Sequence, residues 1–411
     1  MANRWLIAAA GVLMQIALGA VYAWSVFRIP LTKAYGWSIT QSTYAFELAI
    51  LVLGFAAFGG GLWLRRSGPR IVAMTAAVLY GAGTVLAGFA KTLPMLYLTY
   101  GIIAGAGLGL AYIVPIAVLV KWFPDRRGMI TGVAVAGFGA GALITAPVAQ
   151  RLLRSYGVGP TFEILGAAYL VIVLFSSLMM RNPEPGYAPP GYQPKLMDIS
   201  KAASNRDFTL RQALGRWQWY ALWATLFLNV TAGISIISQA SPMAQEIAHV
   251  DAATAAGLVG IISIANGAGR FLWAWLSDAI GRKSVFLMMF LVQCVAFFFL
   301  AHVQSFGMLA TLAFVVLLCY GGGFGTMPAF AADFFGSREV GSIYGLMLTA
   351  WGLGALFGPT IIAHVREASG HYSGAMQIMS IVMLASAVLP LLLRPPKIDP
   401  EHPRPFSAQS A

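Results

Sequence analysis

Arg270 sits inside the stretch NGAGRFLWAW, residues 266–275, and the segment just before it, GLVGIISIA, carries no charge. A guanidinium keeps its proton wherever it is placed. At the centre of a membrane helix it costs roughly 2.5–3.5 kcal/mol on insertion scales. It precedes Lys283 by about 12 residues, hence lies about 18 Å from that boundary at 1.5 Å per residue, too deep for easy snorkelling. Three roles suit such a group. It could form an ion pair inside the protein, be satisfied by backbone carbonyls and Asn266 alone, or face a wet cavity and bind an anion. Ionisable groups inside membrane spans mark function by default, and the planar fork of arginine donates two parallel hydrogen bonds to a carboxylate. Anion binding is the expected role. Asn266, one helical turn earlier on the same face, is placed to donate to the same carboxylate or to hold the guanidinium.

The only other charge well inside an apolar run is Glu47, in TYAFELAILVL. Desolvation there makes it a candidate for proton coupling; the plainer alternative is a carboxyl hydrated from one membrane face. Cys294 and Cys319 both fall in apolar runs and read as buried, unpaired thiols. The five histidines lie in loops or the tail, none at metal-ligand spacing from another. No Walker sequence occurs, and the glycines of GAGLG lie within an apolar span with no strand before them, so neither ATP nor a dinucleotide is expected. No cofactor is expected.

The elements that must position these groups are membrane helices. The chain has 411 residues, 59% hydrophobic and only 10% charged, against about 25% charged in an ordinary soluble domain. Runs of about 20 apolar residues recur, each long enough to cross roughly 30 Å of hydrocarbon, and no alternating β-barrel pattern appears. The fold class is therefore all-α integral membrane. Twelve helices are expected, near 5–27, 43–64, 71–90, 94–120, 129–150, 161–180, 217–239, 253–276, 284–303, 307–332, 341–364 and 373–393. The N-terminal MANRW runs straight into the first of them without a cleavage site. The Pro- and charge-rich interval 181–214 reads as a linker between two six-helix bundles, residues 1–180 and 215–395, with a tail at 396–411.

With both termini placed in the cytoplasm, 19 of the 26 Lys and Arg residues fall on that side, six fall on the other, and Arg270 is the remaining one. This is the positive-inside bias, and it explains the net charge of +12 as topology; no nucleic-acid partner is implied. The halves repeat at a shift of 213 residues. Gly68 meets Gly281, Arg70 meets Lys283, Pro115 meets Pro328 and Gly139 meets Gly352. Parallel six-helix copies are a mark of transporters whose site lies at the midplane between them. The same shift puts Glu47 on Gly260, about 15 Å from Arg270 along the membrane normal, so the two are not expected to pair.

SDAIGRK and its counterpart RRSGPR resemble the signature of the major facilitator superfamily, and the resemblance runs the whole length of the chain. More narrowly, ALGAVYAWSVF, GLAYIVPIAVLVKWFPDRRG and IANGAGRFLWAWLSDAIGRK resemble the oxalate/formate antiporter-like branch and the related monocarboxylate transporters. The resemblance implies alternating access by two pseudo-symmetric bundles. It implies a cavity walled by helices 1, 4, 7 and 10, with Arg270 on helix 8 as the carboxylate-binding residue. Tyr112, Tyr320, Phe324 and Trp351 are then the candidate wall residues, with Gln15, Tyr22 and Asn229 behind them. Gly68, Arg70, Asp278, Gly281 and Arg282 belong to the conformational motif on the cytoplasmic side. Arg65 stands where the signature has an acid, which Asp278 keeps in the second copy. Where the oxalate transporter has a second cation, this chain has Trp351, and where animal monocarboxylate transporters have an aspartate, it has Asn266. A single cavity charge matches a monoanion, since a dianion would keep one charge uncompensated. The expected activity is secondary transport of small monocarboxylates of the lactate and pyruvate class across a bacterial inner membrane, coupled to a proton or to a counter-anion.

Overall fold

In the computed structural model, which describes residues 3–37, 39–184, 186–189 and 207–396, every described element is helical. The first half opens with α1 (Arg4–Gly19), whose start is capped by the Asn3 side chain accepting from the Trp5 N–H. A 3₁₀ turn at Ala20–Trp24 offsets α1 from α2 (Ser25–Tyr35). There follow α3 (Ile39–Gly88), α4 (Leu93–Leu96), a π segment at Tyr97–Ala104, α5 (Gly105–Trp122), α6 (Arg127–Tyr156) and α7 (Val158–Met179). The second half holds α8 (Leu210–Leu214), α9 (Trp217–Ala248), α10 (Ala252–Ile280), α11 (Arg282–Leu300) and α12 (Phe306–Phe335). It closes with α13 (Val340–Met347), α14 (Thr349–Ser369), α15 (Ser373–Ser386) and α16 (Val388–Leu392).

Ten segments of the described residues are long and apolar enough to cross a membrane. The 45-residue segment Tyr44–Gly88 contains two crossings joined at Gly68, and the 29-residue α10 supplies one more, so the twelve expected helices are present. Several helices outrun their apolar stretches: α9 continues to Ala248 and α6 to Tyr156. Apolar length marks the crossing, and backbone hydrogen bonding carries the helix on into the interface. The eleventh crossing is split at Leu348 into α13 and α14, a break not legible in the composition. The expected linker falls mostly on residues 190–206 and the expected tail on 397–411, outside the described residues.

The repeat is written into the backbone. Gly68 (φ 74°, ψ 168°) and Gly281 (φ 89°, ψ 151°), 213 residues apart, make the same left-handed turn between consecutive crossings, a conformation open to glycine at little cost. Gly36 matches His249 and Gly157 matches Gly370 at that same spacing, and all four have positive φ.

Side chains such as Phe55, Val171, Ile381 and Leu384 point outward, as a lipid-facing surface requires, while Trp351, Arg270, Tyr112, Tyr320 and Tyr344 are the largest fully buried ones.

Candidate substrate-binding site

Glycines on α12 seat α10. A Cβ at Gly325 would stand 2.0 Å from the Arg270 carbonyl oxygen, and one at Gly321 would stand 2.0 Å from that of Asn266. The cluster CYGGGFG is thus the surface on which the Arg270 helix lies, an example of small residues setting interhelical distance. From the first half, Gly139 of α6 approaches Gly267 so closely that its Cβ would lie 2.4 Å from the Gly267 Cα.

Arg270 is fully buried. Its guanidinium lies between two rings, 5.0 Å from the centroid of Phe138 and 4.9 Å from that of Phe324. Nε donates to Asn266 Oδ1 at 3.2 Å and Nη1 to the Val135 carbonyl at 3.4 Å, whereas Nη2 has no partner. Among the described residues no carboxylate lies within ion-pair distance of it. The cavity expected around Arg270 is closed in this arrangement: the side chain is fully buried and its guanidinium lies against the rings of Phe138 and Phe324. Of the two roles open to Asn266, its side chain takes the second and holds the guanidinium. Two cation–π contacts at about 0.5–2 kcal/mol each and two hydrogen bonds cover part of a desolvation cost of several kcal/mol. The balance, and the free Nη2, leave the site suited to an anion.

The expected wall residues gather around Trp351. Its ring lies 5.7 Å from that of Tyr112, 5.8 Å from Phe138, 4.6 Å from Phe324 and 6.4 Å from Tyr22. Tyr320 stacks edge-on with Phe324 at 5.2 Å, and its hydroxyl meets that of Tyr22 at 3.3 Å, joining the two halves. The Tyr112 hydroxyl and Trp351 Nε1 are buried without a partner. Gln15 lies behind the wall, donating to the Tyr112 carbonyl at 3.1 Å, and Asn229 Nδ2 reaches the Cys319 carbonyl at 3.4 Å. Glu47 is half-buried on α3. Two residues that the sequence left unmarked belong here: Phe138, in the glycine-rich GFGAG, and Tyr344, whose buried hydroxyl also lacks a partner. The only sequence signal for either is an aromatic amid glycines.

The face bearing the Asp278 loop is latched at two related places. Asp278 accepts from the Gly128 and Met129 N–H groups at 3.0 and 2.7 Å, at the positive N-terminus of α6, and pairs with Arg282 at 2.6 Å. Arg282 and Arg127 both reach Asp333. Position 65 is the repeat mate of 278, and its charge is reversed. Arg65 pairs at 2.9 Å with Glu339, a buried carboxylate just before α13, which also accepts from the Leu210 N–H at 2.8 Å. Where the signature's acid is replaced by Arg65, the contact between the halves is thus made with opposite polarity. Gly68 forms the adjoining turn, and Arg70 stands exposed beside it. On the far face the ion pair Arg366–Glu246 lies within the second half. Burial, then the Glu246 charge, pushes the neighbouring Tyr372 phenol above its ordinary range, with Arg366 opposing.

Comparison with known proteins agrees with this architecture. The family model described as Major Facilitator Superfamily matches residues 7–272 and 230–410. The chain is 31% identical to the MFS-type transporter YhjX of Escherichia coli (strain K12), over 86% of each chain. It is 27% identical to the oxalate:formate antiporter of Oxalobacter formigenes, over 96% of this chain and 94% of that one. It is 24% identical to monocarboxylate transporter 13 of Rattus norvegicus, over 90% and 84%. The crystal structure of the E. coli fucose:proton symporter FucP superposes with a TM-score of 0.69 at 15% identity, covering 95% of this chain and 99% of that one, a likeness of fold. Twelve helices in two repeated halves, a latch at each signature loop and a family model matching nearly the whole length make this chain a member of the Major Facilitator Superfamily.

Proposed function

We propose that the protein carries small monocarboxylate anions of the lactate and pyruvate class across a cytoplasmic membrane by alternating access. The observation that carries this reading is Arg270: a buried cation that among the described residues has no carboxylate partner, with Nη2 unbonded and an aromatic surround. A single carboxylate neutralises it, and the apolar rings accommodate a short carbon tail. A dianion would leave one charge unpaired among them. That relatives include an oxalate:formate antiporter and a monocarboxylate transporter supports an organic-anion substrate. In this reading the anion binds Arg270 with Asn266 holding the guanidinium, Tyr112 and Tyr320 add hydrogen bonds, and Phe324 and Trp351 shape the pocket. The halves then rock about the bound anion, the two latches release, and the site opens to the cytoplasm. A proton accompanies the anion, with Glu47 the candidate carrier, so that no net charge moves.

A second reading, exchange of one anion for another, is favoured by the same residue. A return step without cargo carries the desolvation cost of the buried cation, whereas a return step with a second anion neutralises it. Proteoliposomes separate the two. Uptake of labelled lactate into buffer-loaded vesicles, driven by an inward proton gradient, supports symport. Uptake that requires preloaded counter-anion supports exchange. Uptake under neither condition contradicts both.

A further inference from the structure

Four hydrogen-bond donors are fully buried and unpartnered around one spot: Arg270 Nη2, the Tyr112 hydroxyl, Trp351 Nε1 and the Tyr344 hydroxyl. Three of them follow from a carboxylate site at Arg270. Tyr344 does not. It lies seven residues before Trp351 in the eleventh crossing, on the other side of the break at Leu348 and nearer the latched face. Its hydroxyl is within interaction range of the Tyr112 hydroxyl, which in turn reaches Arg270, yet neither tyrosine completes a hydrogen bond. An orphaned buried hydroxyl has given up its bonds to water without replacement. The repeat shows how such a hydroxyl is otherwise used. Thr131, the mate of Tyr344 at the 213-residue shift, has the carbonyls of Arg127, Gly128 and Gly325 within reach as acceptors for its one hydroxyl proton. Toward the latched face, Gly341 and Ser342 line a cavity of about 280 Å³ at the Arg65–Glu339 pair, bordered also by Lys121 and Arg338.

We infer that Tyr344 is a specificity-determining residue: with Tyr112 it donates to an oxygen on the second carbon of the substrate while Arg270 holds the carboxylate. This rests on the monocarboxylate reading above and narrows it. The open groups on Arg270 and Trp351 can only donate, so the best ligand is one rich in acceptors. A 2-oxo monocarboxylate offers three acceptor oxygens and no donor. A plain short-chain monocarboxylate offers two and leaves the tyrosines unpaired.

The experiment measures competition by pyruvate and by propionate against a labelled monocarboxylate, in proteoliposomes of wild type and of Tyr344→Phe. The wild type should take pyruvate better than propionate. In Y344F the pyruvate inhibition constant should rise about 3- to 10-fold, as loss of one neutral hydrogen bond dictates, while that of propionate stays within about 2-fold. A transport-active Y344F in which both constants move together, or neither moves, overturns the assignment and leaves the monocarboxylate reading standing. A wild type that binds neither acid overturns both. Should Y344F fail to insert, Tyr344→Trp, which keeps a donor on a ring, replaces it. Discrimination retained there supports the assignment, and discrimination lost overturns it.

Discussion

At the residue scale, everything turns on a cation held without a counter-charge. Arg270 was legible from composition alone, because a charge in the middle of an apolar run has few uses. Asn266 was legible from helical spacing. Phe138 and Tyr344 were not, because each reaches the site from a helix that only packing brings close to α10. Arg270→Gln should lower substrate affinity by about 30-fold or more, the scale for removing one partner of a buried charge-assisted pair, with the protein still inserted as judged by size-exclusion elution. Asn266→Asp supplies the missing counter-charge beside Nε, so anion affinity should fall about 10-fold, and uptake should become pH-dependent, recovering as the new carboxyl is protonated. Binding titrations at two pH values check both parts.

At the element scale, the site is placed by close helix approaches. Gly325→Ala would set a methyl against the Arg270 carbonyl, forcing α10 and α12 apart. The cost of overpacking is typically about 1–3 kcal/mol, so a melting temperature lowered by several degrees and reduced uptake are expected. The run of glycines in CYGGGFG is plain in the sequence; that it faces α10 is not. The latches make a sharper test. The Arg65–Glu339 pair is half-exposed on its arginine side, so its direct stabilisation is modest. Arg65→Glu should nevertheless oppose two carboxylates across the halves and open that face. Adding Glu339→Arg should close it again, as read by spin-label distances between the halves. A single substitution without effect on those distances would show that the Asp278 contacts alone hold the face.

At the scale of the whole molecule, the twelve crossings and the two-copy repeat were plain in the sequence, because hydrocarbon thickness fixes apolar length and two six-helix copies leave matching glycines. The helix breaks at Ala20–Trp24 and Leu348 were not, since neither stretch holds a proline or glycine to mark a break. Both halves contribute to the aromatic surround of one arginine, so the proposed site lies where the two copies meet. The most direct measurement is uptake of labelled pyruvate into vesicles containing the wild type or Arg270→Gln, with unlabelled oxalate as competitor. Saturable uptake by the wild type, loss of it in the variant and poor competition by oxalate are the expected result. Uptake by R270Q equal to wild type, or oxalate competing as well as pyruvate itself, would contradict the single-carboxylate site.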